Sequence, residues 1–254
     1  MLESIDKAIS IKFDNNLMQS VSKAVSVIGG FNNFIKPGDT VLLKPNFNTA
    51  DPYPASTDPE FLKAVVRLVL RENPKEIVIG DSSTISANTR KVMDDLNIFD
   101  LEKIDKKISV LFFEEGSWVK KEIPKGKYLK KVCVPEILDN VDKLILLPCL
   151  KTHFIAQFTG ALKISIGFMR PSQRFIFHLR NVQEKIADMN TIIRPDLIIM
   201  DGRKCFINKG PSEGEIKKPN TILASTSRIA IDIDGIKIIQ KFKGNSLEGI
   251  IPEE

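Results

Sequence analysis

Both histidines of the chain, His153 and His178, fall within residues 147–179 (LPCLKTHFIAQFTGALKISIGFMRPSQRFIFHL), with Lys163 between them. An imidazole changes charge near neutral pH, so it serves as a proton carrier or a metal ligand. His153 follows an apolar run and Lys151-Thr152, which places it just past a strand end and suits an acid/base group. His178 sits beside Phe175 and Phe177 and reads as a core or helix-face residue, or as a ligand. Lys163 lies in TGALKISIGF, a run otherwise small and apolar. A lysine in apolar surroundings holds its proton less tightly and becomes a usable nucleophile or attachment point. On a polar helix face it would be an ordinary surface lysine. Gly160, Ala161 and Gly167 around it would let another group approach the backbone closely. Two histidines are a sparse metal set, because zinc takes three or four ligands. Asp81 or Asp201 could complete one, although no spacing requires it.

The elements that must position these residues follow from periodicity. Residues 16–27 carry Leu17, Val21, Ala24 and Val25 at helical spacing, with Gly29-Gly30 as a stop. TVLLKPNF is a short apolar run after a KPGD turn, as expected of a strand buried on both faces. Thr57 or Asp58 can cap the next helix, with Pro59 in its first turn and Phe61, Leu62, Val65, Val66, Leu68 and Val69 on its apolar face. EIVIGDSS and ISVLFFEE are further strands, separated by a helix over about 86–96. SWVKKEIP and YLKKVCVPEIL alternate as an antiparallel hairpin does. KLILLPCLK resumes the buried-strand pattern, and a helix is expected over 179–188. DLIIMDG and TILAST are strands, and 228–242 is a last amphipathic helix whose Asp232 and Asp234 read as its polar face.

Strand–helix alternation implies parallel strands joined by right-handed crossovers. The expectation is one α/β domain over 1–254: a mainly parallel sheet flanked by helices, with a small antiparallel hairpin insertion at about 108–137. Ligands of such sheets bind beyond the carboxyl ends of the strands. Five such ends carry polar or small residues: Lys44-Pro45-Asn46, Gly80-Asp81-Ser82, Lys151-Thr152-His153, Asp201-Gly202 and Ser225-Thr226. In an all-parallel sheet all five would share one rim. Two cations there, Lys44 and Lys151, suit a carboxylate or phosphate, and the GPSEG loop (210–214) could line the same rim. Neither a G-x-x-x-x-G-K-[ST] loop, a G-x-G-x-x-G fingerprint nor a G-x-S-x-G elbow is present.

Composition bounds the alternatives. The chain has 254 residues, 43% hydrophobic and 27% charged, enough for a large core. Three dispersed cysteines, Cys133, Cys149 and Cys205, suit a reducing cytoplasm rather than a disulfide framework. The N-terminal residues lack the pattern of a signal peptide, and no apolar run reaches the roughly 18 residues of a spanning helix, so neither membrane insertion nor export is expected. The net charge of +5 is modest, and residues 120–131 hold six lysines with a single aromatic, Tyr128. That reads as a solvated hairpin more than a nucleic-acid surface, which interleaves arginine and aromatics.

In order, LLKPNF, VIGDSS, LPCLKTH with TGALKISIG, DLIIMDG with GPSEG, and ILASTSRIAIDIDG resemble the landmarks of the family called domain of unknown function 362, over roughly 38–245. Many members of that family carry or accompany a ferredoxin-type four-cysteine segment. The resemblance therefore implies an iron–sulfur protein as a possible partner, while three cysteines cannot supply a cluster in this chain. More remotely, the order His153, Lys163, His178 resembles the central region of the nickel-dependent lactate racemase family. That likeness implies Lys163 as the attachment point of a nickel-containing nucleotide-type cofactor, His178 as metal ligand and His153 as acid/base. Asp81 stands where that family has a second acid/base histidine.

Together these readings describe an enzyme, or a protein derived from one, that binds a small anionic substrate or cofactor at the carboxyl rim. Its chemistry would be racemase- or isomerase-like, or associated with an oxidoreductase. Lys163 and His153 are the candidate catalytic residues. Lys163, Lys44, Asn46, Asp81, Gly160 and Thr159 are the candidate cofactor-binding residues, and His178 is the candidate metal ligand. The alternative is a non-catalytic accessory or redox partner of an iron–sulfur protein.

Overall fold

A computed structural model describes residues 7–177 and 179–251. The strands are β1 (Ile9–Lys12), β2 (Thr40–Lys44), β3 (Glu76–Asp81), β4 (Ile108–Phe112), β5 (Trp118–Glu122), β6 (Lys131–Pro135), β7 (Lys143–Leu146), β8 (Cys149–His153), β9 (Gln157–Thr159), β10 (Leu197–Phe206), β11 (Ile216–Lys217) and β12 (Thr221–Ser225). The α-helices are α1 (Leu17–Val27), α2 (Phe31–Phe34), α3 (Pro59–Leu70), α4 (Thr89–Asp95), α5 (Pro171–Phe177), α6 (Val182–Asn190) and α7 (Arg228–Gln240). A 3-10 helix spans Lys163–Phe168. Among the described residues no helix is long and apolar enough to cross a membrane.

The main sheet runs β1-β12-β10-β7-β2-β3-β4, and β7, β10, β2, β3 and β4 are mutually parallel. Side chains alternate between its two faces, as the pleat requires. Val41, Leu43, Ile77, Ile79, Leu197 and Ile199 join the core under α1 and α3. Leu42, Val78, Leu144, Leu146, Ile198 and Met200 join the core on the other face, under the β5–β6 hairpin, the 3-10 helix, α6 and α7. Each such side chain contributes about 1.5–3 kcal/mol on burial, and burial on both faces is why the strands read as unbroken apolar runs. Asp58, not Thr57, caps α3, accepting from the Glu60 N–H. The Thr57 hydroxyl instead accepts from the Asn46 N–H at 2.7 Å.

Four expectations need correction. The antiparallel insertion is narrower than 108–137: β4 is a parallel edge strand beside β3, and only β5 and β6 form the hairpin. Ser225-Thr226 does not share the carboxyl rim, because β12 runs antiparallel to β10 and Ser225 pairs with Ile198 near the start of that strand. The chain between β10 and β12 turns back through β11 rather than crossing over by a helix, and a return without a crossover gives antiparallel pairing. Asp201-Gly202 is no strand end either, since β10 continues to Phe206. The helix expected over 179–188 is α6, two to three residues later, preceded by Asn181 in the left-handed region (φ 52°), which ends the helical path from α5.

Candidate functional site

β7 and β8 lie along β10 in succession, broken at Leu147-Pro148. That break lets β8 carry Lys151 and His153 beyond the ends of β2 and β3. The turn after β8 returns as β9, pairing Lys151 with Thr159 and His153 with Gln157. The next residues, Gly160–Leu162, lead into the 3-10 helix that starts at Lys163. The result is a cavity of about 550 Å³ beyond the carboxyl ends of β2, β3 and β8. Its walls include Lys44, Asn46, Asp81, His153, Thr159, Gly160 and Lys163, seven residues named from the sequence. Pro211 and Ser212 of the glycine-containing loop also line it. His178, the candidate metal ligand, lies outside the described residues.

Four cationic side chains face this cavity, Lys44, Lys151, Lys163 and Arg174, against one carboxylate, Asp81. Lys44 is 1% exposed and pairs with Asp81 at 2.6 Å. Burial holds its pKa below the usual ammonium range, and Asp81 offsets part of that. The Asp81 carboxylate also accepts the N–H groups of Ser82 (2.6 Å) and Phe47 (2.7 Å), so it ties the loops after β2 and β3 together. Arg174 spends its guanidinium on the carbonyls of Met169, Ser82, Ser83 and Gly167. It braces the wall and adds positive potential. Lys151 is 2% exposed, donates to the Ala55 carbonyl, and is likewise lowered by burial.

Lys163 differs from these three. It is half-buried, and among the described residues its ammonium has neither an ion pair nor a hydrogen bond. Burial, with Lys151 and Arg174 nearby, lowers its pKa to about 8. The glycines around it do what their size allows. A Cβ on Gly167 would stand 2.7 Å from the Lys44 Nζ and 3.2 Å from an Asp81 oxygen, so a side chain there would push into that ion pair. A Cβ on Gly160 would stand 2.2 Å from an oxygen of Asp232.

Asp232 corrects the reading of α7. It is 5% exposed, and its carboxylate accepts the N–H groups of Ala161 (2.6 Å) and Leu162 (2.9 Å). It thereby satisfies two amides at the start of the Lys163 helix. Burial pushes its carboxyl up to about 7, against those two bonds and the charge of Arg228. An acid on an apolar helix carries no local sign that it will face inward.

The His153 Nδ1 accepts the N–H groups of Ile155 (3.0 Å) and Ala156 (3.2 Å). The neutral ring therefore carries its proton on Nε2, which makes it a donor rather than a base at that nitrogen. Two wall hydroxyls, Ser82 Oγ and Thr159 Oγ1, are buried without a hydrogen-bond partner among the described residues. An unpartnered buried hydroxyl is costly, and both lie on the cavity wall. Asp201 is committed elsewhere, to Arg203 (2.6 Å) and the Tyr53 hydroxyl (2.8 Å), and so does not join the site. Cys149 and Cys205 are raised by burial to about 11 and about 12, so both stay thiols at neutral pH. Among the described residues no three His, Cys, Asp or Glu side chains converge as a metal site.

This chain is similar to several known proteins. The thylakoid-associated protein sll1697 of Synechocystis sp. is 27% identical over 249 residues, covering 94% of this chain and 75% of that protein. A crystal structure of a Thermotoga maritima protein shares the fold at TM-score 0.51 and 12% identity, over 91% of this chain. The lactate racemase apoprotein of Thermoanaerobacterium thermosaccharolyticum aligns at TM-score 0.46 and 12% identity, over 87% of this chain. The chain spans only 59% and 54% of those two proteins. The model of the family described as Domain of unknown function (DUF362) matches residues 41–237, and the chain belongs to that family.

Proposed function

We propose that this member of the DUF362 family is an enzyme, or derives from one, that binds a small anionic molecule at the carboxyl rim and uses Lys163 as nucleophile or covalent anchor. The observation that carries the proposal is the Lys163 amine, without a partner among the described residues and lowered to about 8, in a cavity with three further cations. Near pH 8 about half of that amine is neutral and able to attack. A carbonyl is the partner such an amine selects. The nitrogen lone pair adds to the carbonyl carbon, the C–O π pair moves to oxygen, and the carbinolamine loses water to give an imine. His153, whose Nδ1 accepts two backbone N–H groups, would act through Nε2 as the acid of the acid/base role expected from the sequence. The cations draw in an anionic substrate.

The nickel-containing nucleotide-type cofactor implied by resemblance meets this site in part. Lys163, Lys44 and Lys151 suit an anionic group. The imidazole that would ligate its metal, His178, lies outside the described residues.

The test is reductive trapping. The protein is incubated with glyoxylate and borohydride across pH 6–10, and labelled sites are read by peptide mass spectrometry. Lys163 should take the label ahead of the surface lysines, with a rate midpoint near pH 8. Labelling spread over surface lysines, or a Lys163 midpoint near 10, would overturn the assignment.

A further inference from the structure

We infer that the occupant of this cavity is a soluble amphiphile: a compact anionic head, phosphate or carboxylate, joined to an aromatic or aliphatic body. The inference rests on the anion-binding reading above and deepens it. Its basis is a gradient of polarity from floor to mouth. The deep wall is polar and inaccessible: Lys44 is 1% exposed, Lys151 2%, Ser82 3% and Thr159 6%. The open mouth carries five exposed apolar side chains, Phe154 (74% exposed), Phe175 (68%), Leu179 (63%), Ile85 (53%) and Ile155 (42%), with Asn48 and Ser212 as the exposed polar residues beside them. Ten large hydrophobics are exposed among the described residues, and these five share one cavity.

An exposed apolar residue alone needs no explanation. Five of them at one cavity, contributed by the loop after β3, the β8–β9 turn and the α5 region, mark a binding surface. The two zones ask for two kinds of group. A bare inorganic anion would satisfy the floor and leave the collar wet. A neutral apolar ligand would cover the collar and leave the Lys163 ammonium, which has neither an ion pair nor a hydrogen bond among the described residues, without a counter-charge. A head-and-body anion satisfies both, and about 550 Å³ lies within the range of small-molecule sites. The cations lie below the collar, whereas a lipid headgroup in a bilayer stays in the plane of its neighbours. That favours a freely diffusing molecule.

The test compares two probes by isothermal titration, inorganic phosphate and phenyl phosphate, on the full chain. Phenyl phosphate should bind at least tenfold more tightly. The variant Phe154→Ser/Phe175→Ser should reduce that advantage to under threefold and leave phosphate affinity unchanged. Both side chains are exposed, so the variant should keep its melting temperature. Equal affinity of the native chain for the two probes would overturn the amphiphile and leave the anion site standing. Binding of neither probe at millimolar concentration would remove the anion reading itself. Sedimentation with phosphatidic acid vesicles, abolished in the double variant and without preference for phenyl phosphate, would assign the collar to a membrane surface instead.

Discussion

Replacing Asp232 with asparagine keeps the volume of the side chain and changes its hydrogen-bonding capacity. The carboxylate accepts two backbone N–H groups, from Ala161 at 2.6 Å and Leu162 at 2.9 Å. An asparagine can offer its carbonyl to one of them, but must aim its own NH2 at the other. One buried amide is then unsatisfied, at a cost of about 1–3 kcal/mol. The second consequence is a change in pH dependence. The folded carboxyl lies at about 7 against an ordinary 3.8. The folded state therefore binds this proton more tightly than the unfolded chain does. Its contribution is fully present below about pH 4 and is lost as pH rises to about 7, at up to about 1.4 kcal/mol per pH unit and roughly 4 kcal/mol in total. Asparagine has no such titration. The deficit of Asp232→Asn should thus be largest at pH 5 and should shrink or change sign by pH 8. Melting temperatures of both proteins at pH 5, 6, 7 and 8 measure this. At about 2–4 °C per kcal/mol for a chain of this size, the gap should move by several degrees. A gap that stays constant from pH 5 to pH 8 would refute the buried, proton-holding carboxyl.

Two further substitutions probe the same support. Asp81→Asn removes the counter-charge of a lysine that is 1% exposed, and breaking a buried pair from one side costs about 3–5 kcal/mol; chemical denaturation should show that loss, and an Asp81→Asn protein as stable as the native chain would mean that Lys44 is solvated. Gly167→Ala sets a methyl 2.7 Å from the Lys44 Nζ, so it should cost about 1–3 kcal/mol and displace the 3-10 helix; a fall in the rate of glyoxylate trapping at Lys163 without unfolding would register that displacement.

The strands of the sheet and the glycines beside Lys163 were legible because both are local. Alternate residues of a doubly buried strand must all be apolar, so TVLLK and EIVIG declare themselves without a partner. Two glycines flanking a lysine declare a close approach, but not by what. Tertiary structure supplied the answer, the Lys44–Asp81 pair under Gly167 and Asp232 against Gly160. Asp232 stands 71 positions from the Ala161 N–H it accepts, and Arg174 stands 92 from the Ser82 carbonyl it braces. No period in the chain encodes such separations. The antiparallel return of β12, the continuation of β10 through Asp201 and the apolar collar of the cavity are of the same kind. Each depends on which segments meet in space, a choice made by packing and backbone pairing over the whole sheet. The sequence alone determined a layered α/β protein with its scarce histidines and an unusual lysine gathered after one strand. Only the fold decided that, among the described residues, the lysine amine is left without a partner, while Lys44 is paired with Asp81 and Arg174 is bonded to backbone carbonyls.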